Sequence, residues 1–145
     1  MSLQNWLENG QIKAHQTSKS EITELFKAID RDLTDSQLQG LSGDRRFATA
    51  YNAALLVATM ALAASGYRAQ QEGHHYWSIQ SLSFTLELDT KIINQLNAFR
   101  RKRNITDYER VGMASEQEIK SLVTLAKKLR VMVVEWLKKN HPELI

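Results

Sequence analysis

"FATAYNAALLVATMALAASGY", residues 47 to 67, is the stretch whose reading decides the fold of this chain. It is the one long run without a charge, and its length approaches that of a membrane span. Eight of its residues are alanine, however, and Thr49, Asn52, Thr59 and Ser65 dilute it further. As a helix it is apolar on nearly every side, which places it among other helices rather than at a surface. It therefore reads as the buried central helix of a soluble bundle, with no membrane association. Asp44 is the expected cap at its start and Gly66 the expected stop.

Helical patterns flank it on both sides. Upstream, Ser18 with Glu21 makes a capping box, followed by Ile22, Leu25, Phe26, Ile29 and Leu33 at the spacing of one apolar helix face. Leu38 and Leu41 either extend that helix or form a turn beside it, and "LSGD" is a break. Downstream, "RAQQEGHHYW" reads as a loop. A helical stretch follows from near Trp77, with Ile79, Leu82, Ser83 and Leu86 on one face. Asp89 can cap a further helix carrying Ile92, Ile93, Leu96 and Phe99. After the break at "GMAS", Ser115 and Glu118 form a second capping box. The last helix, from Ile119 to Leu137, is stopped at "NHPEL", where the only proline lies. Strand alternation is weak throughout. The expected fold is all-α, an antiparallel bundle of four to five helices. It forms a single domain over 1–145 with its core at about 18–139.

Composition limits the chemistry. The 145 residues suit one domain, large enough for a core without staples. There is no cysteine, which excludes disulfides, a thiolate nucleophile and a cysteine zinc site. That fits a reducing cytoplasm, and "MSLQNWLENGQIKAHQ" has neither the basic start nor the apolar run of a secretory signal. The formal charge of +3 is mild, but positive residues cluster at 100–103, 127–130 and 138–139. No GxGxxG, P-loop, HExxH or GxSxG pattern is present. His74 and His75 have no ligand at helical spacing, so they read as a loop or pocket rim rather than a metal site. His15 and His141 look incidental. No cofactor and no metal are expected.

The most charged segment is "AFRRKRNITDYER", residues 98 to 110. Arg103 can grip phosphate with a fork of donors, Asn104 can donate and accept, and Tyr108 offers a hydroxyl and a ring. Arg103 and Tyr108 would stand about 140° apart on a continuous helix. They converge only if the helix frays near Asn104 or if a dimer brings them together. The bland reading is that Tyr108 packs under the loop while Arg103 pairs with Asp107 or Glu109.

"KRNITDY" on the penultimate long helix, with the alanine-rich helix before it, resembles the HEPN superfamily (higher eukaryotes and prokaryotes nucleotide-binding). The resemblance implies a dimeric helical bundle whose paired motifs cleave RNA without metal, by attack of the 2′-hydroxyl. Arg103 and Asn104 match the motif's arginine and polar positions. Its histidine is replaced by Tyr108. Histidine titrates near 6.5 and an ordinary tyrosine near 10, so proton transfer at neutral pH would be impaired. The resemblance thus implies a cytoplasmic homodimer that binds RNA or a nucleotide, with weak or absent nuclease activity. A nucleotidyltransferase partner in a toxin–antitoxin or defence system follows from the same likeness. Arg103, Asn104 and Tyr108 are its candidate catalytic set, and Arg100, Lys102 and Arg103 its candidate nucleic-acid contacts. The alternatives are an active metal-independent endoribonuclease using Tyr108 and a non-catalytic interaction protein. A further idea is that the "GHHYW" segment closes over Arg103, so that His74 or His75 replaces the missing histidine.

Overall fold

The computed structural model describes residues 2–108 and 112–145, the side chains of 106–108 excepted. The described residues form a helical bundle of six α-helices with one two-stranded ribbon. In chain order these are α1 (Leu3–Asn9), β1 (Ile12–Ala14), α2 (Lys19–Asp35), α3 (Gly43–Ala64), β2 (Tyr67–Ala69), α4 (His74–Ser81), α5 (Thr90–Tyr108) and α6 (Glu116–Asn140). A short 3₁₀ turn, Pro142–Leu144, ends the chain.

The alanine-rich stretch is the central helix. α3 packs most extensively on α2 and α6 and also touches α4, α5 and β2. Phe47, Ala50, Ala53, Val57, Ala58, Met60 and Ala61 on it are each 0% exposed. The many alanines allow this, because small side chains let neighbouring helices approach on several sides at once. By length and composition α3 could cross a membrane, but most of it is buried by the rest of the chain. Its end is as expected: the helix stops at Ala64, and Gly66 follows at φ 97°, a left-handed conformation costly for other residues. Its start is not. Ser42 is the cap, its Oγ accepting from the Arg45 N–H, while Asp44 sits in the first turn. Asp44 Oδ2 instead accepts from the Gly112 N–H at 2.7 Å, tying this helix to the segment before α6. Arg46, two residues along, pairs with Glu116 of α6.

Other boundaries follow the sequence with corrections. In α2, Ser18 Oγ accepts from the Glu21 N–H, but only half of the capping box forms, because the Glu21 carboxylate is bonded to Thr17 and His15. His15 is therefore not incidental: its Nε2 lies 2.8 Å from Glu21 Oε1. α2 ends at Asp35, and Leu38 beyond it is 49% exposed. Asp89 Oδ1 accepts from the Ile92 N–H at the start of α5, and the box of Ser115 and Glu118 is complete at α6. Between α2 and α3, the buried Asp32 carboxylate accepts from Asn52 Nδ2 at 2.5 Å.

Two departures matter for function. "RAQQEGHHYW" is not a loop: Arg68 and Ala69 belong to β2, and α4 begins at His74, three residues before Trp77. Gly73 at φ 72° starts it, which a side chain would strain. α4 then ends at Ser81, so Ser83 is exposed rather than part of a helix face. The second departure is the N-terminal module. β1 pairs antiparallel with β2 (Ile12 with Ala69, Ala14 with Tyr67), in strands too short to display alternation. Trp6 of α1 meets Trp77 at 5.1 Å and Phe84 at 5.0 Å, edge to face. These contacts clamp α4 in place.

Candidate functional site

Three helices converge around one buried phenol. Tyr51, on α3, is 1% exposed, one turn after Phe47, whose ring meets Phe99 of α5 edge to face at 5.9 Å. From α4, His75 brings Nδ1 to 3.1 Å from the Tyr51 hydroxyl. From α5, the Arg103 guanidinium carbon lies 6.0 Å from the centre of the Tyr51 ring. Arg100, one turn before, lies 5.6 Å over the ring of Tyr76. Both are at the outer reach of a cation–π contact.

Arg100 is held by a relay. Asn97, 7% exposed, donates from Nδ2 to Gln80 Oε1 of α4 at 3.0 Å and accepts from Arg100 Nε at 3.2 Å. Asn97, Arg100 and Arg103 are three apart, so α5 turns one polar face toward α3 and α4. The relay explains why a buried asparagine is tolerated there, since its amide is satisfied at both ends.

The electrostatics set the protonation states. Burial pushes the Tyr51 phenol well above its usual range, and the nearby Arg100 and Arg103 only partly oppose this. It stays protonated. Burial first, then the positive surroundings that Arg103 and Arg100 contribute, lowers His75 below the usual histidine range. At neutral pH the imidazole is uncharged and carries one proton. A buried phenol must donate its hydrogen somewhere, and His75 Nδ1 is its one hydrogen-bond partner among the described residues. That requirement assigns the tautomer: Nδ1 accepts, and the proton resides on Nε2. The site thus combines two guanidiniums and an imidazole N–H, all donors. Such a set is matched to an anion with several acceptor oxygens, phosphate above all. It is poorly matched to proton abstraction, because the imidazole's lone pair is already engaged.

Of the residues singled out in the sequence, Arg100 and Arg103 are brought to this site. Asn104 is exposed, one helical turn from Arg100 on the same side of α5. Lys102 is not brought there: it lies on the opposite side of the helix, 3.5 Å from Glu118 of α6. α5 does not fray at Asn104 but continues through Tyr108. Fraying therefore does not bring positions 103 and 108 together, and they stand about 140° apart around the axis. The Tyr108 side chain itself lies outside the described residues, as does Glu109. Tyr51, Gln80 and Asn97 were missed as site residues, whereas His75 and Tyr76 entered only with the "GHHYW" segment, whose His75 does lie against Tyr51 with Arg103 nearby. The available signals were the one aromatic hydroxyl inside an alanine-rich helix and the three-residue spacing of Asn97, Arg100 and Arg103.

Comparison with protein-family models, with curated proteins and with solved structures finds no match to this chain.

Proposed function

We propose that this protein binds RNA or a nucleotide by holding phosphate at Arg100 and Arg103, with weak or absent cleavage of what it binds. The observation that carries the reading is the pairing of two guanidiniums with a neutral, tyrosine-bonded histidine on facing helices. The likeness of "KRNITDY" to the HEPN motif supports the same ligand class. On this reading the chain is a cytoplasmic, HEPN-like homodimer, working beside a nucleotidyltransferase in a toxin–antitoxin or defence system. Catalysis is weak for two reasons: tyrosine stands at 108, and the one histidine near Arg103 spends its lone pair on Tyr51. General acid–base assistance is worth roughly 10²–10⁴-fold, and that is the part missing.

The test is retention of a single-stranded RNA on the purified protein beside Arg100→Ala and Arg103→Ala, each first checked for an unchanged melting curve. Either substitution should weaken binding several-fold or more. Equal affinity in all three proteins would remove the assignment. Incubation with RNA in EDTA completes the test. No cleavage above background is expected, whereas cleavage that His75→Gln abolishes would replace the binding reading with a metal-independent endoribonuclease.

A further inference from the structure

We propose that the cavity between α2, α3, β2 and α4 is a binding site for a compact, uncharged heterocycle with a hydrogen-bonding edge. It encloses about 190 Å³. That exceeds the roughly 150 Å³ known to admit benzene and falls below the roughly 300 Å³ where drug-sized sites begin. A substituted ring or a fused bicycle fits those limits. Leu25, Leu62, Ala63 and Ala69 supply apolar lining for the body of such a ligand, and His74 and Tyr67 contribute rings to the same lining.

The second observation is Ser78. It lines the cavity and is 1% exposed, yet its hydroxyl has no hydrogen-bond partner among the described residues. The other buried hydroxyls behave differently. Ser36 donates to the Leu33 carbonyl, Ser81 to the Ser78 carbonyl and Thr85 to the Ser81 carbonyl. A serine within a helix can always make such a bond back to the preceding turn. Ser78 forgoes it while lining a cavity, at the cost of leaving a buried polar group unpaired. A ligand edge that donates to or accepts from this hydroxyl removes that cost.

The charges at the rim explain why the ligand is neutral. The Glu21 carboxylate already accepts from Thr17 Oγ1 at 2.6 Å and is bonded to His15 Nε2 at 2.8 Å. Arg68, the other charged residue in the lining, is exposed and of opposite sign. The Arg68 charge stays in water and the Glu21 carboxylate is already bonded. The buried part of the lining therefore offers no charge to an ionic ligand, and burying an unpaired charge there would be costly. A metal ion is also not indicated, because no group of three or more ligating residues forms among the described residues. This site stands apart from the arginine site. Neighbouring residues on α4 serve the two, His74 here and His75 there.

The experiment is a calorimetric titration of the full chain with adenine, uracil and nicotinamide, and with toluene as an apolar probe. The same titrations are run on Ser78→Ala and on Ala63→Leu, which fills the cavity. Saturable one-to-one binding of at least one heterocycle is expected, weakened about five- to tenfold by Ser78→Ala and lost in Ala63→Leu. Ser78→Ala should fold with an unchanged or raised Tm, since it removes an unpaired hydroxyl, so the test survives if Ala63→Leu does not fold. A single-stranded RNA that displaces the heterocycle identifies the ligand as a base within a strand; no displacement identifies a free small molecule, and either upholds the site. No saturable binding by the wild type, or equal binding of toluene and heterocycle unaffected by Ser78→Ala, would overturn it.

Discussion

His75 is the residue whose chemistry departs furthest from what its neighbours in sequence suggest. Its titration is lowered by burial and by the positive charge around it. In the unfolded chain the same side chain titrates near 6.5, so between that pH and its folded value the unfolded state binds more protons. Its contribution to stability is therefore fully present above about pH 6.5 and is lost as pH falls through that range. Urea unfolding at pH 7.5 and 5.5 should reveal the loss, and His75→Gln should reduce the difference between the two. An equal difference in both proteins would mean that the half-buried His75 is not held neutral. Glu21 and Glu118 act separately. Hydrogen bonds, from Thr17 to the first and within the Ser115 cap to the second, hold both below their ordinary value of 4.5. Their share is lost only in more acidic solution.

Among the elements, caps and clamps carry distinct expectations. Ser115→Ala removes the Oγ that accepts from the Glu118 N–H, one half of a complete capping box, and should cost about 1 kcal/mol, read from the urea midpoint. Asn52→Ala leaves the Asp32 carboxylate buried without its amide partner between α2 and α3, and should cost more, about 1–3 kcal/mol. An Asn52→Ala protein as stable as the wild type would show that the Asp32 contact contributes little. Much of this level was legible beforehand. The core of α3 followed from its alanine run, and Gly66, Asp89, Ser115 and Glu118 marked boundaries by local chemistry that needs no tertiary partner. Asp44 was misassigned because Ser42 offered a second capping side chain two residues earlier, while the partner that uses Asp44, the Gly112 N–H, is distant in sequence. The start of α4 was hidden for a similar reason. Gly73, His74 and His75 have weak helix propensity, and the helix there depends on Trp77 packing against Trp6.

Across the whole molecule, the site depends on contacts between segments far apart in the chain. Tyr51, His75 and Arg103 meet only because α3 is central and the N-terminal module clamps α4, and no local pattern encodes that meeting. Arg100 and Arg103 stood out in the sequence by their place in a positive run and, for Arg103, by the likeness of "KRNITDY". His75 entered only as one residue of the "GHHYW" segment, and Tyr51 had no local signal beyond its place in an alanine-rich helix. Trp6→Ala should accordingly do two things. It should cost about 3–5 kcal/mol of stability, as loss of a buried tryptophan does, and it should weaken RNA binding by loosening α4. Light scattering tests the proposed homodimer, with a mass of 16.6 kDa for one chain against twice that for the pair. The most direct measurement of the central claim is the salt dependence of single-stranded RNA binding by the wild type, Arg103→Ala and Arg103→Lys. If Arg103 holds phosphate, Arg103→Ala binds more weakly and its log–log slope is shallower by about 0.7. Arg103→Lys keeps the slope but loses affinity with the guanidinium fork. Identical slopes and affinities in all three proteins would contradict the account.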